Sequence, residues 1–295
     1  EQSKQGENTP YPDWVELRRE DTEEEPSVIL TVRDGEGAVV RRIPAATSKG
    51  YHRFAWDMRY PAPDPVSLTG AKDLPPWQDP DKGPLALPGT YTVSLSKRVE
   101  GQLVELAGPK TFVLKPLFAG GMMAQDQSEV TRFQLQTAAL YRAIMGANRA
   151  AAEIEERIKY LMAASDLTTG SDESQAQETR QLAARMRDLR LTLNGDRTLS
   201  RRYEPVPLAL VSRINIIAAA HWDSRAEVPQ TLRDSWTIAE EEFRELLPEL
   251  KGIDADLKAL EQGLENAGAP WTPGRIPDWP ESPESDGVSE HSDQR

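Results

Sequence analysis

From Ser27 to Pro116 apolar and polar residues alternate with period two. Val28, Leu30 and Val32 fall on one side of an extended chain, and Ile29, Thr31 and Arg33 on the other. "DGEG" at Asp34 to Gly37 supplies turn residues that return the chain through Val39 and Val40. Phe54, Trp56 and Met58 form the next one-sided set. After a turn at Pro88 and Gly89, Tyr91, Val93 and Leu95 repeat it, followed by "VEGQLVEL" and "TFVLKP". Short strands separated by Gly/Pro turns, with no helix between them, predict an immunoglobulin-like β-sandwich over residues 27–116. Residues 59–89 are too rich in proline for regular structure and predict a long, semi-rigid loop that carries Trp77.

Beyond Pro116 the period becomes helical. Asp126 and Glu129 have capping-box spacing, and Val130, Phe133, Thr137, Leu140, Ile144, Ala147, Ala151, Ile154, Ile158 and Leu161 recur in steps of three and four. Leu182, Met186, Leu189 and Leu193 mark a second helix closed by Asn194 and Gly195. "VPLALVSRINIIAAAHW" is a short, nearly all-apolar third. The fourth seam runs through Leu232, Trp236, Ala239, Phe243, Leu246, Leu250, Ile253, Leu257, Leu260 and Leu264, with Pro248 and Gly252 expected to kink or divide it. Narrow stripes of this kind predict an antiparallel four-helix bundle over residues 127–268. The expected organisation is α+β and multidomain. An arm at 1–26 precedes the sandwich at 27–116, a linker at 117–126 leads to the bundle at 127–268, and a Pro/Trp-rich, acidic tail occupies 269–295.

Charge narrows the choice of partners. The 295 residues carry 48 Asp and Glu against 35 Lys and Arg, a net charge of −13, which opposes binding to nucleic acid or to anionic lipid. Protein or carbohydrate partners remain. The absence of cysteine rules out disulfides and thiolate chemistry. No apolar run approaches the roughly 18 residues of a membrane-spanning helix. The chain begins at Glu1 rather than Met, which fits either trimmed numbering or a removed leader, and a removed leader means export.

Catalytic motifs are hard to find. His52, His221 and His291 share no zinc-helix spacing, and no cofactor fingerprint is present. In "AHWDS", His221 and Asp223 suggest a triad, but close neighbours on a helix point apart and no nucleophile motif accompanies them. With 48 acidic residues, nominating a glycosidase pair from sequence carries no information. Gly120 and Gly121 fit a hinge rather than a phosphate loop. "NGDRTLSRR" is the densest polar loop. Its Arg197, Arg201 and Arg202 could bind an anion, or pair with carboxylates of neighbouring helices and fix the loop.

The tryptophans divide into two groups. Trp56 and Trp236 lie on apolar faces and are expected in the core. Trp14, Trp77, Trp271 and Trp279 sit in Pro-flanked, irregular stretches, the last two within "APWTPGRIPDWPESPES". Such arms either cap the chain's own domains or dock on a partner, because aromatic anchors on stiff segments are what interface hot spots use. These four tryptophans and the three arginines are the candidate partner-binding residues.

"FAWDMRYP" and "LPGTYTVSL" resemble the immunoglobulin-like module that follows the β-propellers of bacterial extracytoplasmic sortilin-like, BNR-repeat proteins, a class labelled glycosyl hydrolases. That module is also similar to one in flagellar hook-capping proteins. "NGDRTLSRR" and "GAPWTPGRIPDW" resemble the helical tail that ends the same proteins, so the likeness covers most of Ser27 to Trp279. No propeller repeat is present, and the family's Asp-Pro-Arg linker is replaced by "KPLFAGGMMAQDQSEVTRFQ". The resemblance therefore implies lineage without carrying over hydrolase activity. The expectation is a non-catalytic, periplasmic or otherwise extracytoplasmic subunit, without cofactor, that braces a larger protein assembly. A membrane complex such as a photosynthetic reaction-centre and light-harvesting complex is one setting. The alternative is a carbohydrate-binding or accessory module of a secreted glycoside hydrolase.

Overall fold

The computed structural model describes residues 13–68, 81–117, 123–168, 170 and 173–277. The fold is α+β: one four-stranded antiparallel sheet and several helices. The chain forms two compact units, Glu1–Ala143 with Arg213–Ile238, and Ile144–Ser212 with Ala239–Arg295, so the boundaries fall inside helices rather than between them. The two are referred to below as the first and second unit.

The first unit holds a helix, α1 (Trp14–Thr22), and the strands β1 (Ser27–Arg33), β2 (Val39–Ala45), β3 (Gly89–Val99) and β4 (Gln102–Leu114), in sheet order β2-β1-β3-β4. The Asp34 turn closes the first hairpin, its carboxylate accepting from the backbone N–H of Glu36 at 3.0 Å and of Ala38 at 2.9 Å. Glu100 and Gly101 close the β3–β4 hairpin with φ of 49° and 74°, the left-handed pair that matches strand twist. On one face Val32, Val40 and Tyr91 form a buried cluster with Ala86, and Ile43, Trp56, Tyr60, Val93, Phe112 and Leu114 pack against it. Trp56 meets Tyr91 and Phe112 edge-on, with centroids 5.4 and 6.2 Å away, and its indole N–H donates to Arg59 O at 3.0 Å.

The strand expected through Phe54, Trp56 and Met58 does not form. Among the described residues this stretch joins no ladder, Phe54 and Met58 are exposed, and Met58 has φ 60°. Alternation here reports only that Trp56 must reach the core; a bridge between Arg59 and Leu85 is the first regular pairing after it. The arm also contains a helix that apolar periodicity does not predict: α1 has no buried residue, and so no apolar seam to announce it.

The helices α2 (Gln127–Leu167), α3 (Glu173–Asn194), α4 (Arg197–Ser200), α5 (Leu210–His221) and α6 (Gln230–Asn266) follow. Every position of the expected α2 seam, from Val130 to Leu161, is buried. Leu182, Met186, Leu189 and Leu193 of α3 are buried as well, and each fully buried Leu or Ile contributes about 1.5–3 kcal/mol. Asp126 caps α2, accepting from Ser128 and Glu129 N–H at 2.9 and 3.0 Å. Gly195 ends α3 at φ 76° with its N–H on Leu191 O at 2.8 Å, the left-handed cap the sequence suggests. Helix α6 continues through Pro248 and Gly252 without dividing. Among the described residues no helix is long and apolar enough to cross a membrane.

Candidate functional site

The C-terminal candidate is built in the second unit. A proline-punctuated stretch cannot extend α6, so it needs side-chain ties to hold it. After Gly268, at φ 77°, the chain turns back on α6. Arg275 supplies the ties: its guanidinium donates to Glu261 O at 3.0 Å and to Thr272 Oγ1 at 3.1 Å, and pairs with the Glu265 carboxylate. Beneath it Glu261, 2% exposed, receives a two-pronged contact from Arg157, with Nε–Oε1 at 3.1 Å and Nη2–Oε2 at 2.6 Å. The Asp254 carboxylate lies 3.6 Å from the same guanidinium. Thr272 is buried, whereas Trp271 remains 58% exposed with its N–H on Arg275 O, and Ile276 is 92% exposed. The segment is thus clasped to its own helices while its largest ring faces outward.

Trp14 stands on α1, 69% exposed beside an equally bare Val15. Exposed ion pairs accompany it, Arg19 with Glu100 at 3.5 Å and, just after the helix, Glu24 with Arg98 at 2.7 Å. Trp77 and Trp279 lie outside the described residues, as do His291, Gly120 and Gly121.

Arg197, Arg201 and Arg202 all stand on one exposed turn of the second unit. Asp196 fixes that turn by accepting from Thr198 and Leu199 N–H at 2.7 and 3.2 Å. None of the three arginines has an ion pair among the described residues. The carboxylate pairing expected to fix the loop is therefore not found there, and the Asp196 cap fixes it instead.

The first unit contains an open polar cleft of about 240 Å³ that sequence patterns did not reveal, lined by Asp64, Asp81, Lys82, Tyr141, Trp222 and Asp223 among others. Tyr141 donates to Asp64 at 2.8 Å; burial, then the Asp64 contact, push its hydroxyl pKa well up, so it remains a proton donor. Burial raises the Asp81 carboxyl, and Asp64 adds to the shift. Asp223 pairs with Arg59 at 2.6 Å and Lys82 at 3.2 Å; burial opposes its ionisation, but these hydrogen bonds prevail and hold it below the ordinary carboxylate value. The cleft can accept and donate hydrogen bonds, and its carboxylates come from the 59–89 loop and from the end of α5, far apart in sequence.

Asp223 and His221 serve different neighbours, so "AHWDS" forms no dyad. His221 is 3% exposed, with Nε2 on Ala226 O at 3.2 Å and Nδ1 3.3 Å from the Gln134 amide. Burial lowers its pKa. Beside it Arg225 reaches Ala86 O at 2.9 Å, Thr131 Oγ1 at 3.0 Å and Gln134 Oε1 at 3.3 Å, linking the loop before β3 to α2. Among the described residues no group of three or more His, Asp or Glu could hold a metal ion. Set against protein-family models, curated proteins and solved structures, the chain matches none.

Proposed function

We propose that this chain is a non-catalytic structural and interaction subunit, extracytoplasmic, with an immunoglobulin-like module followed by an antiparallel helical bundle, and that it braces a larger protein assembly. The observation that carries this reading is the C-terminal clasp. Arg275 immobilises a non-helical segment, yet the aromatic ring it positions is left 58% exposed. An ordered, exposed Trp on a stiff segment loses little entropy on docking, which is how interface anchors gain affinity. Trp14 on α1, 69% exposed, is a second outward ring. The periplasmic face of a photosynthetic membrane complex is one assembly in which to seek the partner.

The test is the native mass of the particle that carries the chain, taken from mildly solubilised membranes, with crosslinking mass spectrometry on the same sample. A large particle with crosslinks from Lys82 to other subunits is the expected result. A lone species of 32.9 kDa, the mass of one chain, refutes it.

A second reading, a carbohydrate-binding accessory module, draws support from the Asp64–Asp81–Tyr141 cleft, whose hydrogen-bonding groups surround the Tyr141–Trp222 ring contact at 5.3 Å. A glycan array separates it, since saccharide binding lost in Asp81→Asn would favour the module.

A further inference from the structure

We infer that the groove between α3 and α6 of the second unit is the seat of a basic amphipathic helix from a partner protein. The inference rests on the subunit reading above and adds to it a face and a partner chemistry. Three depressions of about 350, 380 and 340 Å³ run end to end, the first two sharing Arg185 and the last two sharing Thr192 and Glu242. From Gln175 to Thr192 the α3 wall extends for about 26 Å at 1.5 Å per residue. Gln175 faces Gly263 at one end and Thr192 faces Glu242 at the other, so the two walls are antiparallel.

The spacing of the walls suits a helix. On α3 Gln175, Leu182 and Leu189 recur every seven residues, and on α6 so do Glu242, Glu249 and Asp256. Helices that present such repeats side by side leave a furrow into which a further helix can set a seven-residue repeat of its own. Leu182, Leu189 and Leu246 are buried in its floor. Past Thr192 the lining continues through Leu199, Val206 and Leu208, which stay 39, 38 and 42% exposed and give the furrow an apolar end.

Charge selects the occupant. Seven carboxylates line the furrow against one basic residue, Arg185, a net −6 out of the chain's −13. At the chain's own ratio of 48 acidic to 35 basic residues, seven would be accompanied by about five. Arg185 is already spent on Glu249 at 2.9 Å and Asp256 at 2.5 Å. Asp196 caps α4, and Glu242 is engaged elsewhere. Asp188 and Glu245 are exposed and belong to no ion pair among the described residues. Lys and Arg flanking an apolar stripe complement walls of this kind, as charges beside a coiled-coil seam do. Two other occupants are opposed by the same charge. Residues 278–295 carry six Asp and Glu against one Arg, and a second copy seated here by two-fold symmetry would set the acidic furrow against itself.

The experiment places a photoreactive benzophenone in the furrow, as Thr192→p-benzoylphenylalanine in the full chain, and irradiates the native particle. Thr192 is exposed and lines two of the three depressions. Capture of a net basic segment of another subunit, with apolar residues at helical spacing, is expected. Its yield should fall roughly fivefold or more in Asp188→Lys/Glu245→Lys, whose exposed positions leave the thermal melt unchanged, and by less in Asp188→Asn/Glu245→Gln. Capture of an acidic segment, of residues 278–295 or of a second copy, or a yield indifferent to the charge reversal, each overturns the inference. A large particle with no capture at residue 192 sinks this furrow and leaves the subunit reading intact; a lone chain of 32.9 kDa sinks both.

Discussion

Replacing Glu261 by Ala should be among the most damaging single changes in the second unit. Glu261 is 2% exposed and shares two hydrogen bonds with Arg157, whose side chain is 21% exposed. Removing one partner of a buried pair costs about 3–5 kcal/mol, because the remaining charge keeps its desolvation penalty without its attraction. Arg157 retains Asp254 at 3.6 Å and some water, which places the cost near the lower end, about 3 kcal/mol. The better helix propensity of Ala returns only a few tenths. At about 2–4 °C per kcal/mol for a chain of this size, the melting temperature should drop by roughly 6–12 °C.

The decisive comparison is a double-mutant cycle with Arg157→Met and Glu261→Leu, followed by urea unfolding. With both charges gone and apolar volume in their place, the double variant should lie within about 1 kcal/mol of wild type, giving a coupling of about 2 kcal/mol or more. If Glu261→Ala costs less than about 1 kcal/mol, or if the two changes simply add, Arg157 and Glu261 are not a coupled buried link.

Three further outcomes are expected. Arg275→Ala removes the ties to Glu261 O, Thr272 and Glu265, so residues 269–277 should lose amide hydrogen-exchange protection by at least tenfold while α3 is unaffected. Arg225→Lys cannot span Ala86, Thr131 and Gln134 with one ammonium and should cost about 2–3 kcal/mol in urea unfolding; equal stability would discount the fork geometry. His221 has its pKa lowered by burial from the usual 6.5, so below that pH the unfolded chain takes up a proton that the native chain resists. Stability should therefore be complete above pH 6.5 and fall as the pH drops through the native pKa, a slope that His221→Gln should flatten in thermal melts between pH 7.5 and 5.5.

The helical seams were legible because each depends on one helix's own period: a 3.6-residue repeat fixes which face of α2 is apolar, whatever covers it. The limit appears at Leu260 and Glu261. Periodicity assigns the seam to Leu260, yet the structure buries Glu261 and leaves Leu260 half-exposed. Only the arrival of Arg157, 104 positions away, makes a buried carboxylate tolerable, and no local pattern encodes that. The stretch at Phe54 to Met58 misleads for the opposite reason, since one core tryptophan among exposed neighbours imitates strand alternation. The cleft was invisible because its groups come from an irregular loop and two helices, with no repeat or spacing to join them.

The same logic separates the candidates that remain outward. Trp56 and Trp271 are both tryptophans whose indole N–H finds a backbone carbonyl within a few residues, Arg59 O and Arg275 O. Their local settings are alike, both lying in irregular backbone close to prolines. The difference lies in what meets the ring. Trp56 has Tyr91 and Phe112 against it, so its hydrophobic surface is already spent inside the first unit. Trp271 has a satisfied N–H and a fixed backbone but keeps most of its ring in water, and an indole of that size leaves on the order of 1–2 kcal/mol of apolar burial unrealised. A side chain held still while its apolar face stays wet gains most from a second surface, and for that reason the C-terminal clasp carries more weight than tryptophan content alone.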